Sequence, residues 1–161
     1  MPISADPGRE RYGPTIRAAA GYQKALQKHN LASYLMDSAN DHTSIKDATL
    51  RFLDQYPQIT GIVSLGDTVG IYDAIQTKGL KLPTDISFVG LGNDKDAQMT
   101  VPFPTTILFP SWQMGYESGM ILIDGLENSH NEVVQNLLEP KLIARQSSSS
   151  PKLSSTWQET T

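Results

Sequence analysis

Short apolar runs alternate with an amphipathic segment through the middle of the chain. Residues 59–65 and 86–90 are apolar, rich in β-branched side chains and too short to be helices, so both are predicted as buried strands. Between them, Asp67 is placed to cap a helix that runs through Lys78, and Gly79 offers the left-handed conformation that ends such a helix. A strand, a helix and a strand joined by short loops predict a βαβ unit with parallel strands.

Two helices and a strand are predicted ahead of this unit. A helix over residues 15–29, with its first residue as the N-cap, ends at Asn30, which tolerates a left-handed backbone. The apolar run 32–36 is predicted as a strand. A weak capping box at Ser44 begins a second helix, whose apolar residues recur at helical spacing until Pro57 stops it.

The last third of the chain adds two strands and a strongly apolar helix. Residues 105–108 are predicted as a strand, and residues 111–126 as a helix that is apolar on more than one face and needs extensive cover. Residues 137–144 are a final strand candidate, in which Pro140 favours an edge position or a bulge. The whole pattern predicts an α/β fold, a three-layer arrangement with a parallel sheet flanked by helices.

Two segments of different composition flank this pattern. Residues 1–14 contain three prolines and are predicted as an N-terminal arm. Residues 147–161 are rich in serine and threonine with few apolar side chains, which predicts a flexible tail. The α/β domain is accordingly expected to cover residues 15–146.

Composition excludes several classes of protein. The 161 residues carry a formal net charge of −4, so the chain lacks the basic excess with which nucleic-acid-binding domains neutralise phosphates. It contains no cysteine, which excludes a disulfide framework and thiolate chemistry. No apolar run approaches the roughly 18–20 residues that cross a bilayer, and the first residues do not resemble a signal peptide. We therefore expect a cytoplasmic domain that does not contact a membrane.

Candidate catalytic and metal-binding groups are sparse. The three histidines, His29, His42 and His130, fall at predicted helix ends or in loops without a second ligand at metal spacing, so all three are predicted as solvated side chains. Asp94 and Asp96 lie in a polar loop, where general acid–base work is unsupported. The chain also lacks a nucleophile elbow and a phosphate-binding loop. No metal, no cofactor and no enzymatic activity are predicted.

Two charged residues have an alternative to their ordinary roles. Asp67 is most simply a helix N-cap, but it also follows a buried strand, at the edge where open α/β sheets bind ligands. Arg17 is most simply a solvated cation on a helix, but it could instead pair with an anionic or hydroxyl-rich ligand. Gly90 and Gly92 follow a strand without a third glycine, which favours a strand-end turn over a dinucleotide site.

Several segments, read in order, resemble the lactose-repressor (LacI/GalR) family of transcription regulators. The segments that match the motifs of that family are 21–26 (GYQKAL), 60–67 (TGIVSLGD), 79–90 (GLKLPTDISFVG), 104–107 (PTTI), 114–115 (MG) and 142–147 (LIARQS). Each segment alone is a weak signal, but their order and spacing over residues 21–147 make the match specific.

This resemblance implies a ligand-sensing regulator. In the family, a small helix-turn-helix domain binds DNA, and a two-lobed effector domain, similar to periplasmic sugar-binding proteins, binds a sugar or another metabolite. Closure of the lobes shifts a dimer between DNA-competent and DNA-incompetent states. The match covers the C-terminal part of such an effector domain, so we expect a homodimer that contacts operator DNA only through a domain outside this chain.

The effector-binding residues of the family match this sequence only in part. The family arginine falls on Ala18, one position from Arg17, and the aromatic residue that stacks on the effector falls near Asn40. Asp67 matches, but the usual effector-binding aspartate is replaced by Gly92. The polar residues that remain as candidates for binding an effector are Arg17, Asn40, Asp67, Asn93 and Asp94.

Two further expectations follow from the resemblance. In family members, the helix matched by residues 111–126 packs in the first lobe, which lies largely outside the match. We therefore expect this helix to pack elsewhere, to form a dimer contact, or to belong to a longer protein. The alternative function is that of a periplasmic-type solute-binding protein, which has the same fold.

Overall fold

The structure is a computed structural model, which describes residues 13–36, 41–92, 100–128 and 133–150. Four helices and four strands follow one another in the order α1 (Gly13–Lys28), α2 (His42–Gln55), β1 (Gly61–Ser64), α3 (Thr68–Thr77), β2 (Ser87–Gly92), β3 (Thr105–Leu108), α4 (Ser111–Asn128) and β4 (Lys141–Ile143). The βαβ unit predicted from the sequence is formed by β1, α3 and β2.

The four strands form one sheet in the order β1-β2-β3-β4. β1 pairs with β2 in parallel from Gly61 opposite Ser87, and β2 pairs with β3 in parallel from Val89 opposite Thr105. The predicted α/β class, with parallel strands flanked by helices, is confirmed. β4 differs from the prediction, because it runs antiparallel to β3 and makes the sheet mixed.

β4 is also shorter than predicted. The sequence predicts a strand over residues 137–144, whereas pairing is confined to Lys141–Ile143. Pro140 has no N–H to donate, so the ladder begins only after it. The expected edge position is confirmed, since β4 is the last strand of the sheet.

The hydrophobic core lies between the α2–α3 pair and the strands β1 and β2. Its largest cluster consists of Ile45, Leu53, Ile62, Ile71, Tyr72, Ile75, Ile86 and Phe88. The Tyr72 ring packs edge-on against Phe88 with centroids 5.2 Å apart, and its hydroxyl donates to the Pro102 carbonyl at 2.9 Å. Burial raises the pKa of the Tyr72 phenol. The described side chains of α1 and α4 contribute no buried residue.

Two helices are followed by the left-handed residues that the sequence predicts. Asn30, after α1, has φ of 53° and Gly79, after α3, has φ of 69°, as predicted. α1 begins at Gly13, so Thr15 lies inside the helix and is not its N-cap, and the arm is shorter than 1–14. Residues 1–12 lie outside the described residues.

The capping box predicted at Ser44 is wrong, because Asp41 is the N-cap of α2. The Asp41 carboxylate accepts a hydrogen bond from the Ser44 backbone N–H at 2.9 Å. Hydrogen bonds from Ser44 lower the pKa of the Asp41 carboxyl group below its ordinary value. The N-cap therefore lies three residues earlier than the sequence predicts.

The strand predicted over residues 32–36 is wrong in all but its last residue. Of residues 31–36, Met36 alone forms a bridge, and residues 31–35 belong to no strand. The side chain of Leu35 is 44% exposed, whereas Met36 is buried beside Phe52 of α2. The apolar composition of this run therefore reflects one buried side chain and not a paired strand.

The tail predicted from residue 147 begins too early. Ser147 is fully buried, and its hydroxyl donates to the Phe88 carbonyl and accepts from the Thr105 N–H, both at 2.7 Å. Its own carbonyl accepts from the Phe88 N–H at 2.7 Å. Ser147 thus links β2 to β3 at the start of their parallel pairing, which begins with Val89 opposite Thr105. Residues 151–161 lie outside the described residues.

Candidate functional site

The candidate effector site is the edge of the sheet where β1 ends and α3 begins. β1 ends at Ser64, a buried residue whose hydroxyl accepts a hydrogen bond from the Gly66 N–H at 3.1 Å. This bond turns the chain sharply, so that Asp67 directly precedes the first turn of α3. Open parallel sheets bind their ligands at this edge, because strand ends and helix N-termini meet there.

Asp67 is the N-cap of α3, as predicted. Its Oδ1 accepts from the Val69 N–H at 3.1 Å, and its Oδ2 accepts from the Gly70 N–H at 2.8 Å. These two bonds satisfy backbone donors that a helix leaves free at its first turn. The side chain remains 30% exposed, so part of the carboxylate stays open to a ligand.

His42 brings α2 to this site, which the sequence does not predict. Its Nδ1 lies 3.1 Å from Asp67 Oδ2, and its Nε2 lies 3.2 Å from Asp73 Oδ2 on α3. Lys46 Nζ lies 3.9 Å from the same Asp73 oxygen. The predicted solvated position of His42 at a helix end is confirmed, since the side chain is 45% exposed, but the ring also lies between two carboxylates.

The end of β2 passes close to the first residue of α3. A Cβ added at Gly90 would lie 3.1 Å from the Phe88 ring, which is a tight contact, and 3.4 Å from Thr68 Oγ1, which is an ordinary one. β2 continues to Gly92, which corrects the predicted strand-end turn, since Gly90 and Gly92 both lie within the strand. The end of β2 therefore presents no side chain to the site at positions 90 and 92.

The other predicted effector residues are not brought to this edge by any described contact. Arg17 is exposed on α1, and its side chain forms no hydrogen bond or ion pair with another described residue. Asn40, Asn93 and Asp94 lie outside the described residues. Of the five candidates, the described structure places Asp67 at this edge, and effector binding by any of the five stays a prediction.

Metal and membrane contacts gain no support from the described ranges. Within them, His, Cys, Asp and Glu side chains do not gather in groups of three or more that could hold a metal ion. None of the helices there combines the length and the apolar character that crossing a bilayer requires.

α4 carries a large apolar surface that the rest of the described chain leaves uncovered. None of its residues is buried, and the exposed apolar side chains are Trp112, Met114, Tyr116, Met120, Ile121, Leu122, Ile123 and Leu126. Trp112 and Tyr116 stack on each other with ring centroids 5.3 Å apart. This agrees with the expectation that the helix lacks its usual cover, and it exceeds the scattered exposure normal for a surface.

A comparison with known sequences identifies the domain. A profile of the periplasmic binding protein-like domain matches residues 4–148. A curated relative, the HTH-type transcriptional repressor PurR of Edwardsiella ictaluri, is 30% identical over 132 residues, which are 79% of this chain and 39% of the repressor. The chain thus spans about two fifths of the length of the curated repressors that it matches.

Solved structures share the fold. The complex of the transcriptional regulator CelR with cellobiose aligns with a TM-score of 0.78 at 22% identity, over 91% of this chain and 45% of that one. A LacI family transcriptional regulator from Enterococcus faecium with bound ribose aligns with a TM-score of 0.76 at 23% identity, over 86% of this chain and 54% of that one.

The sequence matches agree with the predictions of a LacI/GalR-type effector domain and of a domain without enzymatic activity, since the curated relatives are repressors. The sequence profile covers most of the chain, including every described helix and strand. The chain therefore belongs to the periplasmic binding protein-like domain family.

Proposed function

We propose that the chain is the C-terminal part of the effector-sensing domain of a LacI/GalR-type transcription regulator. The observation that carries this proposal is the profile match over residues 4–148, together with curated relatives that are repressors. DNA binding is assigned to a domain outside the chain, in accord with its net charge of −4. Such a regulator acts on DNA in the cytoplasm.

The proposed effector is a sugar or a sugar derivative. Two structural neighbours have cellobiose or ribose bound, and a carboxylate such as Asp67 is suited to accept hydrogen bonds from sugar hydroxyls. We assign effector contacts to Asp67 and, among the other predicted residues, to Arg17, Asn40, Asn93 and Asp94. Binding at the edge of this lobe favours a closed arrangement of two lobes, which shifts the regulator between states of different DNA affinity.

The regulator is proposed to act as a homodimer. The support from this chain is the uncovered apolar face of α4, on which Trp112 is 79% exposed and Leu122 is 70% exposed. An apolar surface of this extent is typical of an interface between proteins.

A mobility-shift experiment tests the regulatory role. The complete gene product that contains the chain is incubated with the DNA upstream of its own gene, with and without ribose or cellobiose. We expect a shifted complex whose stability changes with one of the sugars. Sugar binding without any DNA binding would instead support the alternative, a periplasmic-type solute-binding protein, and contradict the proposal.

A further inference from the structure

The His42 imidazole faces a carboxylate oxygen with each of its two nitrogens. Nδ1 lies 3.1 Å from Asp67 Oδ2, in the turn after β1, and Nε2 lies 3.2 Å from Asp73 Oδ2 on α3. A neutral imidazole has one N–H and one lone pair, so it can donate to only one of these carboxylates, whereas the imidazolium ion donates to both. The observed arrangement is therefore complete only when both ring nitrogens carry a proton.

The charged groups around His42 come from two elements. In the described part of the chain, Asp67 and Asp73 face the ring from the side of α3, while Asp41 and Lys46 belong to the same end of α2 as His42 itself. Lys46 Nζ lies 3.9 Å from Asp73 Oδ2, whereas His42 contacts both Asp67 and Asp73. A cationic ring at this position completes an ion pair with each of the two carboxylates of the α3 side.

The starts of α2 and α3 rest directly on each other. A Cβ added at Gly70 of α3 would lie 2.8 Å from the His42 carbonyl oxygen and 2.9 Å from Asp67 Oδ2, so the two helices leave no gap there. At their other ends, Lys78 and Asp54 form a second ion pair. The helices are thus tied at both ends, and of these two ties the one at His42 includes an imidazole.

We propose that His42 is a positioning residue of the candidate effector site, and that its protonation links effector binding to pH. The assignment to effector binding rests on the proposed function. In the protonated state, His42 holds Asp67 against the start of α2. When the ring loses a proton, one of its two ties is lost and the α2–α3 contact at the site loosens, so the effector binds more weakly.

Urea unfolding of the full chain tests the tie without any ligand. The variants are His42→Gln, Asp73→Asn and the double variant, each measured at about pH 6 and about pH 8, on either side of the range in which histidine titrates. We expect the His42–Asp73 coupling to change the unfolding equilibrium constant about two- to fivefold at the lower pH, as exposed ion pairs do, and to be smaller at the higher pH, because a neutral ring can donate to only one of the two carboxylates.

Two matched controls separate this effect from general destabilisation. His29→Gln replaces an exposed histidine at the end of α1, and Lys78→Gln removes the tie at the other ends of the helices. We expect neither variant to respond differently at the two pH values. A His42–Asp73 coupling that is equal at both pH values, or absent from both, would overturn the proposal.

Titration with ribose or cellobiose at both pH values then tests the positioning role. We expect His42→Gln to bind the sugar several-fold more weakly than the wild-type protein does at about pH 6, and more weakly by a smaller factor at about pH 8. Equal affinities of wild type and His42→Gln at both values would overturn the positioning role. If neither sugar binds while the unfolding data show the pH-dependent coupling, the proposed function fails and the tie itself stands.

Discussion

Single residues decide much of this fold through hydrogen bonds between segments that are far apart in sequence. Ser147 is the clearest case, because one buried hydroxyl serves both the Phe88 carbonyl of β2 and the Thr105 N–H of β3. Its neighbour Ser148 shares a hydrogen bond of 2.6 Å with the Thr105 hydroxyl. The end of the described chain is thereby part of the sheet region.

Replacing Ser147 with alanine should lower the free energy of unfolding by about 1–3 kcal/mol, because a buried donor and a buried acceptor lose their partner. Urea unfolding followed by circular dichroism measures the change. Ser150→Ala is the matched control, since this residue is exposed and should change stability by less than about 0.5 kcal/mol. Equal stabilities of the two variants would show that the Ser147 hydroxyl is not a structural link.

Residue-scale prediction from the sequence succeeds where local conformation is decisive. Asn30 and Gly79 are predicted from the backbone freedom that each residue type allows, and both have positive φ. Asp67 is predicted as a cap from its position before a helix. His42 is not predicted, because its partners lie 25 and 31 residues away and only folding brings them together.

At the scale of elements, α2 and α3 form the most closely packed pair near the site. Gly70 allows this approach, because a methyl group there would lie 3.2 Å from Ile45 Cγ2 as well as against His42 and Asp67. Residues of both helices enter the same core cluster. The position of the site relative to the core therefore depends on this contact.

Gly70→Ala should destabilise the protein by about 1–3 kcal/mol through overpacking, although alanine is the better helix former. Gly115→Ala in α4 is the matched control, because nothing lies within 4 Å of the added Cβ. It should stabilise the protein by up to about 1 kcal/mol. Thermal unfolding of both variants checks the prediction, and a stabilising Gly70→Ala would contradict the close contact.

Element-scale prediction is reliable for the βαβ unit and weaker at the sheet edges. β1, α3 and β2 are predicted because period, length and capping residues agree. The strand over 32–36 is predicted wrongly and the antiparallel direction of β4 is not predicted, because pairing depends on which strands lie alongside. Apolar composition alone does not distinguish a paired strand from an irregular segment with one buried side chain.

At the scale of the whole molecule, the uncovered α4 is the largest departure from an ordinary surface. Its acidic residues Glu117, Asp124 and Glu127 leave most of the helix circumference apolar. Asn136 forms a hydrogen bond with Glu117, so the segment before β4 approaches the helix near a polar position. The apolar positions remain available to another protein surface.

The chain should therefore self-associate, and analytical ultracentrifugation over a range of concentrations measures this. Leu122→Glu, which places a charge on the apolar face at a residue 70% exposed, should shift the distribution toward the monomer. Ser111→Glu, at the first residue of α4, is the control and should leave association unchanged. A wild-type chain that stays monomeric and unfolds cooperatively at all concentrations would contradict the proposed dimer contact.

The family of the whole molecule is predicted from sequence with more success than its binding residues. Motifs such as 79–90 contain the turn and strand residues that the fold requires, and the described structure has a strand over Ser87–Gly92. The binding residues match the family only in part, since glycine stands at position 92 where the resemblance implies an aspartate. The specific sugar therefore has to be measured.

Calorimetric titration of the complete gene product with ribose and cellobiose tests the central claim, effector sensing at the Asp67 edge, most directly. We expect saturable binding of one of the sugars, and an affinity about tenfold lower or worse in Asp67→Asn, which keeps a good N-cap but removes the charge. Asp47→Asn, exposed on α2, is the control and should bind as wild type does. Sugar binding that Asp67→Asn leaves unchanged, or no binding of either sugar, would contradict the account.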